Sequence, residues 1–246
     1  MSRPALVMVH GWGMHGGVWA DIAAGLRDRL DVYRPDLPGH GNAAWTAPSS
    51  VEQLVDELAA AAPARCTVAG WSLGGQLALL WARRHPAQVE RLVLVATPPK
   101  FVQAPDWPHG LAAVVVDEFT AALMQDAAAV LRRFLRLQAQ GDAQARAVVR
   151  RLESTLAEHP VPERTVLEQT LDWLRINDLR ALLPAIRQPA LVLYGKRDGI
   201  VSPAAADYLA THLPRARAQG FADAAHAPFI SDPATVCRLL ADFCDG

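Results

Sequence analysis

The sequence predicts an α/β fold with a mostly parallel, doubly wound sheet. Short β-rich segments alternate with longer helical ones, an order that favours parallel strands joined by right-handed crossovers. Several of the β-rich segments are apolar throughout, as expected for strands that are covered on both faces. With 246 residues the chain is long enough for one large domain that carries an insertion.

Six strands and five helices make up the alternating part of the chain. The predicted strands are ALVMV (5–9), DVYRP (31–35), CTVAG (66–70), RLVLVAT (91–97), ALVLYG (190–195) and ARAQGFA (216–222). The helical patterns cover about 17–29, 50–62, 73–85, 203–213 and 232–243.

The alternation is interrupted once, from about 104 to 184, where sequence rich in Ala, Leu, Arg and Glu favours helices. We expect a helical lid over 104–184, inserted in a core domain formed by 1–103 and 185–246. It would lie over the carboxyl ends of the strands, where open α/β sheets bind their ligands. Pro160 and Pro162 are expected to separate two of its helices.

Composition excludes several classes of protein. A formal net charge of −1, with 51% hydrophobic and 20% charged residues, favours neither a nucleic-acid nor a membrane partner. The cysteines, Cys66, Cys237 and Cys244, are scattered and odd in number, which argues against a disulfide framework or a zinc site. The first residues lack the long apolar core of a signal peptide, so a cytoplasmic protein, by default a monomer, is expected.

The segment GWSLG (70–74) has the pattern G-x-S-x-G between a predicted strand and a predicted helix. In that context the serine occupies a sharp, strained turn that exposes its hydroxyl above the sheet. Gly70 and Gly74 would allow strand and helix to approach closely. The pattern therefore predicts Ser72 as a nucleophile, the alternative being a glycine turn with an incidental serine.

A serine nucleophile needs a base, and the base needs an orienting acid, in the chain order Ser, acid, His. His226 lies in a predicted loop between the last strand and the last helix, whereas His212 ends a predicted surface helix. Asp198 directly follows a strand, whereas Asp207 falls inside a helix and Asp223 is very near His226. We therefore predict Asp198 and His226 as the partners of Ser72.

Acyl transfer also needs two backbone N–H donors for the oxyanion. Leu73, the residue after the nucleophile, is predicted to supply one. Trp12, in the segment HGWG (10–13) after the first strand, is predicted to supply the other and to lay its ring along the pocket. The ring could instead belong to the core.

Together these segments resemble the α/β-hydrolase superfamily over the whole chain. The resemblance is closer to the pimeloyl-[acyl-carrier protein] methyl ester carboxylesterases. It is carried by HGWG (10–13), DLPGHG (36–41), GWSLGG (70–75), RRFLRLQ (132–138), LYGKRDGIV (193–201) and AAHAPFISDP (224–233). Members usually have extra residues before the first parallel strand, so a shorter sheet edge is expected here.

The resemblance implies a serine esterase that hydrolyses the methyl ester of pimeloyl-carrier protein in biotin synthesis, through an acyl-enzyme and without metal or organic cofactor. Small esters are possible further substrates. The implied substrate contacts are Trp12, Ser72, Leu73, Phe134, Leu135, Arg136, Leu137, Gln138 and His226. The implied docking residues for the carrier protein are Arg133, Arg146 and Arg150, and an alanine near position 129 stands where the family has a further arginine.

The distribution of charge along the chain supports an acidic protein partner independently of the resemblance. Residues 132–151 hold six arginines and one acid, a balance of +5, so the rest of the chain carries −6. A basic patch on an otherwise acidic protein suits the steering and register of an acidic protein partner. The alternative is an ordinary solvated helix face.

Several activities stay open at this stage. Serine at position 72 argues against dehalogenase and epoxide hydrolase chemistry, in which the same turn carries aspartate. A broad short-acyl carboxylesterase, a thioesterase and a C–C bond hydrolase are the nearest alternatives. A non-catalytic binding protein of the same fold is a further one, although such proteins usually lack a member of the triad.

Overall fold

In the computed structural model, which describes residues 3–245, six parallel strands form a single sheet. Residues 1, 2 and 246 of the predicted core ranges lie outside the described residues. The strands are β1 (Ala5–Val9), β2 (Asp31–Tyr33), β3 (Cys66–Trp71), β4 (Val89–Val95), β5 (Ala190–Gly195) and β6 (Ala216–Phe221). Their order across the sheet is β2-β1-β3-β4-β5-β6.

Helices follow or separate the strands. They are α1 (Ala20–Leu26), α2 (Val51–Ala61), α3 (Leu73–Arg84), α4 (Ala113–Gln125), α5 (Ala127–Gln138), α6 (Ala145–Leu156), α7 (Arg164–Ile176), α8 (Pro203–His212), α9 (Pro228–Ser231) and α10 (Pro233–Asp245). Short 3₁₀ helices at Gly16–Trp19 and Arg180–Ala185 lead into α1 and β5.

All six predicted strands are confirmed, and their ends differ for local reasons. The second strand stops at Tyr33, short of Pro35, which has no N–H to donate to a ladder. The fourth begins two residues early, at Val89, and stops at Val95, because Ala96 has a positive φ of 44°. The predicted helix over 17–29 is instead a 3₁₀ turn followed by α1, which ends at Leu26.

Apolar residues cover both faces of the sheet. Along β1, Val7 and Val9 pack into one cluster with residues of α2 and α3, whereas Leu6 and Met8 pack into a second cluster with residues of α1 and α10. Successive side chains of a strand point to opposite faces, so a strand buried on both sides must be apolar throughout. The sheet is therefore doubly wound, as predicted.

Four helices, α4 to α7, fill the interval between β4 and β5. Pro160 and Pro162 lie between the end of α6 at Leu156 and the start of α7 at Arg164, as predicted. Isolated β-bridges precede α4, among them one that joins residues 104 and 107. The two ends of this interval lie next to each other in the structure. Leu179, near its end, donates its N–H to the carbonyl of residue 99, near its start (2.9 Å).

Within residues 3–245, none of the helices has the length and the run of apolar residues that a bilayer span requires. The three cysteines are free thiols, and Cys66 and Cys244 are buried. Burial raises the pKa of the Cys66 thiol to about 11, so this side chain acts as a small apolar residue of the core.

Two buried histidines join the loops that follow β1 and β2. His10 accepts the N–H of Leu37 at Nε2 (2.9 Å) and donates from Nδ1 to the carbonyl of Gly11 (2.9 Å). The ring centroids of His10 and His40 lie 5.2 Å apart. Burial, with a contribution from the neighbouring His40, lowers the pKa of His10 to about 3, and burial lowers the pKa of His40 to about 4. Both imidazoles are therefore neutral near pH 7.

This pair predicts a pH dependence of stability. An unfolded histidine has a pKa of about 6.5, so below that pH the unfolded chain binds protons that folded His10 and His40 exclude. The free energy of unfolding should fall as the pH drops from about 6.5 toward 4, by up to about 1.4 kcal/mol per pH unit for each histidine. Urea unfolding across this range measures the slope.

The variant His40→Asn should reduce that slope, since one of the two titrating groups is gone. Equal free energies of unfolding at about pH 5 and pH 7.5 in the unsubstituted protein would contradict the prediction.

Candidate active site

The parallel sheet gathers the predicted site at one edge. Because all six strands run in the same direction, their carboxyl ends lie on the same side of the sheet. Ser72 follows β3, Asp198 follows β5 and His226 follows β6, while Trp12 follows β1. Residues up to 214 positions apart in sequence are thus carried to the same edge of the sheet by the ends of β1, β3, β5 and β6.

Ser72 occupies a strained turn between β3 and α3. Its backbone has φ 55° and ψ −115°, a conformation that side chains rarely adopt and that persists only where the surroundings impose it. Its N–H donates to the carbonyl of Val95 on the neighbouring strand (2.9 Å). A Cβ at Gly70 would lie 2.1 Å from the carbonyl oxygen of Gly74. Close packing of strand against helix therefore holds the serine in this conformation.

Gly74 and Gly75, which follow the serine, are also at positions where close packing leaves no room for a Cβ. A Cβ at Gly74 would lie 2.4 Å from the carbonyl oxygen of Val9 in β1, and a Cβ at Gly75 would lie 1.8 Å from Oγ1 of Thr97. The first turn of α3 thus rests directly on the ends of β1 and β4. The sequence predicts the role of Gly74, whereas that of Gly75 emerges only in three dimensions.

His226 and Asp198 form a buried pair. Nδ1 of His226 donates to Oδ2 of Asp198 (2.8 Å), and each side chain is only 1% exposed. Oδ1 of Asp198 accepts the N–H groups of Ile200 (2.8 Å) and Val201 (3.0 Å). The carboxylate is thereby fixed by its own turn and fixes the imidazole in the tautomer that leaves Nε2 without a proton.

The backbone of His226 is also held on both sides. Its N–H donates to the carbonyl of Gln138 at the end of α5 (3.0 Å), and its carbonyl accepts the indole N–H of Trp71 (2.8 Å). Trp71 precedes Ser72, so one side chain joins the turn of the serine to the loop of the histidine. Nε2 of His226 is buried and has no hydrogen-bond partner among residues 3–245. It is the acceptor that a serine base requires.

The alternative acid and base candidates are engaged elsewhere. Asp207 is exposed on α8, and Asp223 is exposed and pairs with Arg197. His212 is exposed at the end of α8 and stacks on Tyr208 with ring centroids 3.7 Å apart. Of these five acid and base candidates, His226 and Asp198 are the two that are joined to each other.

The predicted oxyanion donors lie on the two segments that flank the serine. Leu73 is the first residue of α3, and the N–H at that position has no acceptor within the helix. The side chain of Trp12 donates its indole N–H to the carbonyl of Leu167 in α7 (2.9 Å). Its ring makes edge contacts with Phe119 and Phe134, at centroid distances of 5.5 and 5.3 Å.

A cavity of about 440 Å³ lies between the sheet edge and helices α4, α5 and α7. Trp12, Phe119 and Phe134 form part of its apolar wall, and residues 199 and 200, directly after Asp198, complete it. Gln140 and Arg197 are among its few polar lining residues. Ser72, Leu73 and His226 are not among its lining residues, so the cavity approaches the predicted triad only through Trp12 and the residues after Asp198. Its walls suit a mainly hydrocarbon ligand.

The predicted substrate segment of α5 divides between two faces. Phe134 and Leu137 line the cavity, whereas Leu135 packs in the core cluster that contains β1 residues Leu6 and Met8. Arg136 is exposed, and Gln138 is fully buried beside the backbone of His226. Helical periodicity causes this division, since residues three apart share a face while adjacent ones do not. No sequence motif marks Phe119 as a lining residue.

The predicted docking arginines are exposed. Arg133 lies on α5, and Arg146 and Arg150 lie on the neighbouring helix α6. None of the three forms an ion pair within the described part of the chain, whereas Arg151 pairs with Asp21 (2.9 Å).

One group of side chains among residues 3–245 has the composition of a metal site: His15, Glu158 and His159, whose ligand atoms lie within 4.8 Å of one another. Both nitrogens of His15 are already engaged. Nε2 donates to the carbonyl of Thr155 (2.7 Å), and Nδ1 accepts the N–H of Gly17 (3.1 Å). The cluster thus offers no free nitrogen on its buried histidine.

A family model for the alpha/beta hydrolase fold matches residues 4–233. The chain belongs to the α/β-hydrolase family. It is 43% identical, over the full length of both chains, to a protein of Aromatoleum aromaticum named pimeloyl-[acyl-carrier protein] methyl ester esterase. A protein of the same name from Nitrosomonas europaea is 40% identical over 94% of this chain and 92% of the relative.

Solved structures of this family share the fold at lower sequence identity. An esterase from Exiguobacterium antarcticum superimposes with a TM-score of 0.88 at 21% identity, over 100% of this chain and 93% of that one.

The close packing around the turn of Ser72 predicts that one methyl group added at Gly70 lowers the free energy of unfolding substantially. In Gly70→Ala the new Cβ would meet the backbone of Gly74, which cannot yield without separating β3 from α3, so we expect a loss of about 1–3 kcal/mol in the free energy of unfolding. Gly199→Ala is the control, since a Cβ there meets nothing within 4 Å. Equal urea midpoints for the two variants would refute the steric account.

Proposed function

We propose that the chain is a serine carboxylesterase that hydrolyses the methyl ester of pimeloyl-[acyl-carrier protein] in biotin synthesis. One observation carries the chemistry: a buried imidazole bound to Asp198 at Nδ1 and free at Nε2 lies at the strand ends beside the strained turn of Ser72. The substrate follows from the names of the relatives that match along the whole chain. We place the reaction in the cytoplasm, with a monomeric enzyme and no metal or organic cofactor.

In the proposed mechanism Oγ of Ser72 attacks the ester carbonyl while Nε2 of His226 takes the hydroxyl proton. Asp198 stabilises the imidazolium that forms. The backbone N–H groups of Trp12 and Leu73 donate to the oxyanion of the tetrahedral intermediate. The intermediate collapses, the methoxide oxygen takes the proton from His226, and methanol leaves an acyl-enzyme.

Water completes the cycle. Nε2 of His226 accepts a proton from a water molecule, whose oxygen attacks the acyl-enzyme carbonyl. Collapse of the second tetrahedral intermediate breaks the bond to Oγ of Ser72, which recovers its proton from His226. The products are the free carboxylic acid, still attached to its carrier, and the restored serine.

The cavity supports an acyl chain of several methylenes. Its aromatic wall of Trp12, Phe119 and Phe134 offers only apolar contacts along most of its length. Each methylene that it buries contributes about 0.8 kcal/mol. The carrier end of the substrate would extend past the polar lining residues, Gln140 and Arg197.

We propose that α4 to α7 act as the lid, over 104–184, on a core formed by 1–103 and 185–246. The ion pair of Lys100 with Asp178 (3.0 Å) closes the base of this insertion and so favours such a division. Arg133, Arg146 and Arg150 would bind the carrier protein from the outer face of α5 and α6. Their lack of ion pairs within residues 3–245 leaves them available to acidic groups of a partner.

Labelling by a fluorophosphonate probe tests the nucleophile. The unsubstituted protein should react covalently at Ser72, and Ser72→Ala should lose all labelling because the attacking oxygen is gone. His226→Ala should slow labelling strongly, since it removes the proton acceptor. Ser202→Ala, which removes a half-buried hydroxyl bound to the carbonyl of residue 109, is the matched control. Undiminished labelling of Ser72→Ala would exclude the proposed nucleophile.

The carrier-protein contact is tested with two substrates. For Arg133/Arg146/Arg150→Ala we expect kcat/KM on pimeloyl-carrier-protein methyl ester to fall about tenfold or more, with hydrolysis of a p-nitrophenyl ester unchanged, because steering by the patch is lost. Arg83/Arg187/Arg215→Ala removes the same charge from exposed positions elsewhere and serves as the control. Equal losses in the two variants would argue against a docking patch.

If the unsubstituted protein cleaves the p-nitrophenyl ester and ignores the carrier substrate, the triad stands and the proposed substrate is wrong. The protein would then be a broad short-acyl carboxylesterase.

A further inference from the structure

We propose that Asp142 is a positioning residue for catalysis, which holds the histidine loop (residues 222–227, between β6 and α9) against the turn between α5 and α6. This inference rests on the proposed function only in taking His226 as the base. Asp142 is not a lining residue of the cavity and acts through the backbone next to His226.

Asp142 is 7% exposed, and its carboxylate bridges three segments. Oδ2 accepts the N–H of Ala225, the residue before His226 (2.9 Å), and the hydroxyl of Ser231 (2.5 Å). Oδ1 accepts the N–H of Gln144 (2.7 Å). Within residues 3–245 no cation lies within ion-pair distance of it, so these neutral donors alone offset the cost of burying the charge.

Further hydrogen bonds join the same two segments. Ala143 donates its N–H to the carbonyl of Asp223 (2.9 Å), and Arg197 links the carbonyl of Gly141 (3.2 Å) to the carboxylate of Asp223. The bond from the N–H of His226 to α5 belongs to this contact. The turn between α5 and α6 thus holds the histidine loop at its start and at its catalytic residue.

The loop is fixed from its other side by close packing. A Cβ at Gly195 would lie 2.0 Å from the carbonyl oxygen of Ala225, so the loop rests directly on the end of β5. Asp142 binds the N–H of the same Ala225. The peptide groups before His226 are therefore held between β5 and the proposed lid. This fixes the backbone position from which the imidazole of His226 extends. A misplacement of about 1 Å at a reacting group can cost about 100-fold in rate.

The effect of removing the negative charge of Asp142 distinguishes a positioning role from a role in docking. Asp142 is the one acid among the arginines of 132–151. If it acted only through charge, its neutralisation would strengthen the basic patch and favour an acidic partner. A positioning role predicts the opposite, a loss of kcat that appears with a small ester and without any carrier protein.

The test uses p-nitrophenyl ester hydrolysis by the full chain. Asp142→Ala should lower kcat about 10- to 100-fold and leave KM within about twofold, because the cavity wall is untouched. Ser231→Ala, which removes one of the donors, should give a smaller loss. Asp126→Ala is the matched control: Asp126 caps α5 through the N–H of Ala129 (2.9 Å) but does not contact the histidine loop, so kcat should be retained.

A double variant decides whether Asp142 acts through His226. In a His226→Ala background the further change Asp142→Ala should leave the residual rate unchanged, since the base to be positioned is absent. A purely structural role would reduce the rate by the same factor in both backgrounds, and that result would overturn the proposal. Full kcat in Asp142→Ala would overturn it as well.

If Asp142→Ala fails to fold, Asp142→Asn and Ser231→Ala carry the test, because each keeps part of the hydrogen bonding. Full kcat in both of these would overturn the proposal. A parent protein that cleaves the p-nitrophenyl ester but not the carrier substrate would refute the proposed substrate and leave the test of Asp142 intact.

Discussion

At the end of β3 the strand passes so close to the start of α3 that no Cβ fits at Gly70, and the first turn of α3 lies so close to the end of β1 that no Cβ fits at Gly74. These contacts impose the positive φ of Ser72 and place the first turn of α3 on the ends of neighbouring strands. Trp71 lies on the opposite side of the same turn and binds the carbonyl of His226. The position of Ser72, the proposed nucleophile, is thus set by backbone packing, and His226, the proposed base, is then placed relative to that backbone.

The electrostatics of the site follow from what surrounds the acid. Asp198 is buried and bound by two backbone N–H groups and one imidazole, with no lysine or arginine in ion-pair contact among the described residues. Its charge is therefore stabilised by oriented dipoles and remains available to the imidazolium that forms when His226 accepts a proton. A cation beside Asp198 would compete with that imidazolium and weaken the advantage.

Local signals in the sequence predict the strands, the strained serine turn and the joined pair of Asp198 and His226, because each depends on a few adjacent residues and on strand direction. The contacts of the lid are different in kind. Helical patterns do not distinguish the face of α5 that carries Phe134 from the face that carries Leu135. The bond between Asp142 and Ala225 spans 83 positions, and although Ala225 lies in the segment AAHAPFISDP (224–233), no motif marks Asp142 or indicates that the two residues meet. Only the packing of the lid on the sheet brings them together.

The turn between α5 and α6 connects two proposed functions, carrier-protein docking and catalysis, that the sequence presents separately. Arg146 and Arg150 lie on the helix that this turn begins, and Asp142 within the turn binds the backbone next to His226. Lifting the two helices from the sheet would break the bonds at Ala225 and His226 together and leave buried donors without acceptors. If α5 and α6 act as the proposed lid, it cannot open on this side without releasing His226, the proposed base. A partner bound to these helices would therefore rest on a surface that is fixed to His226, the proposed base.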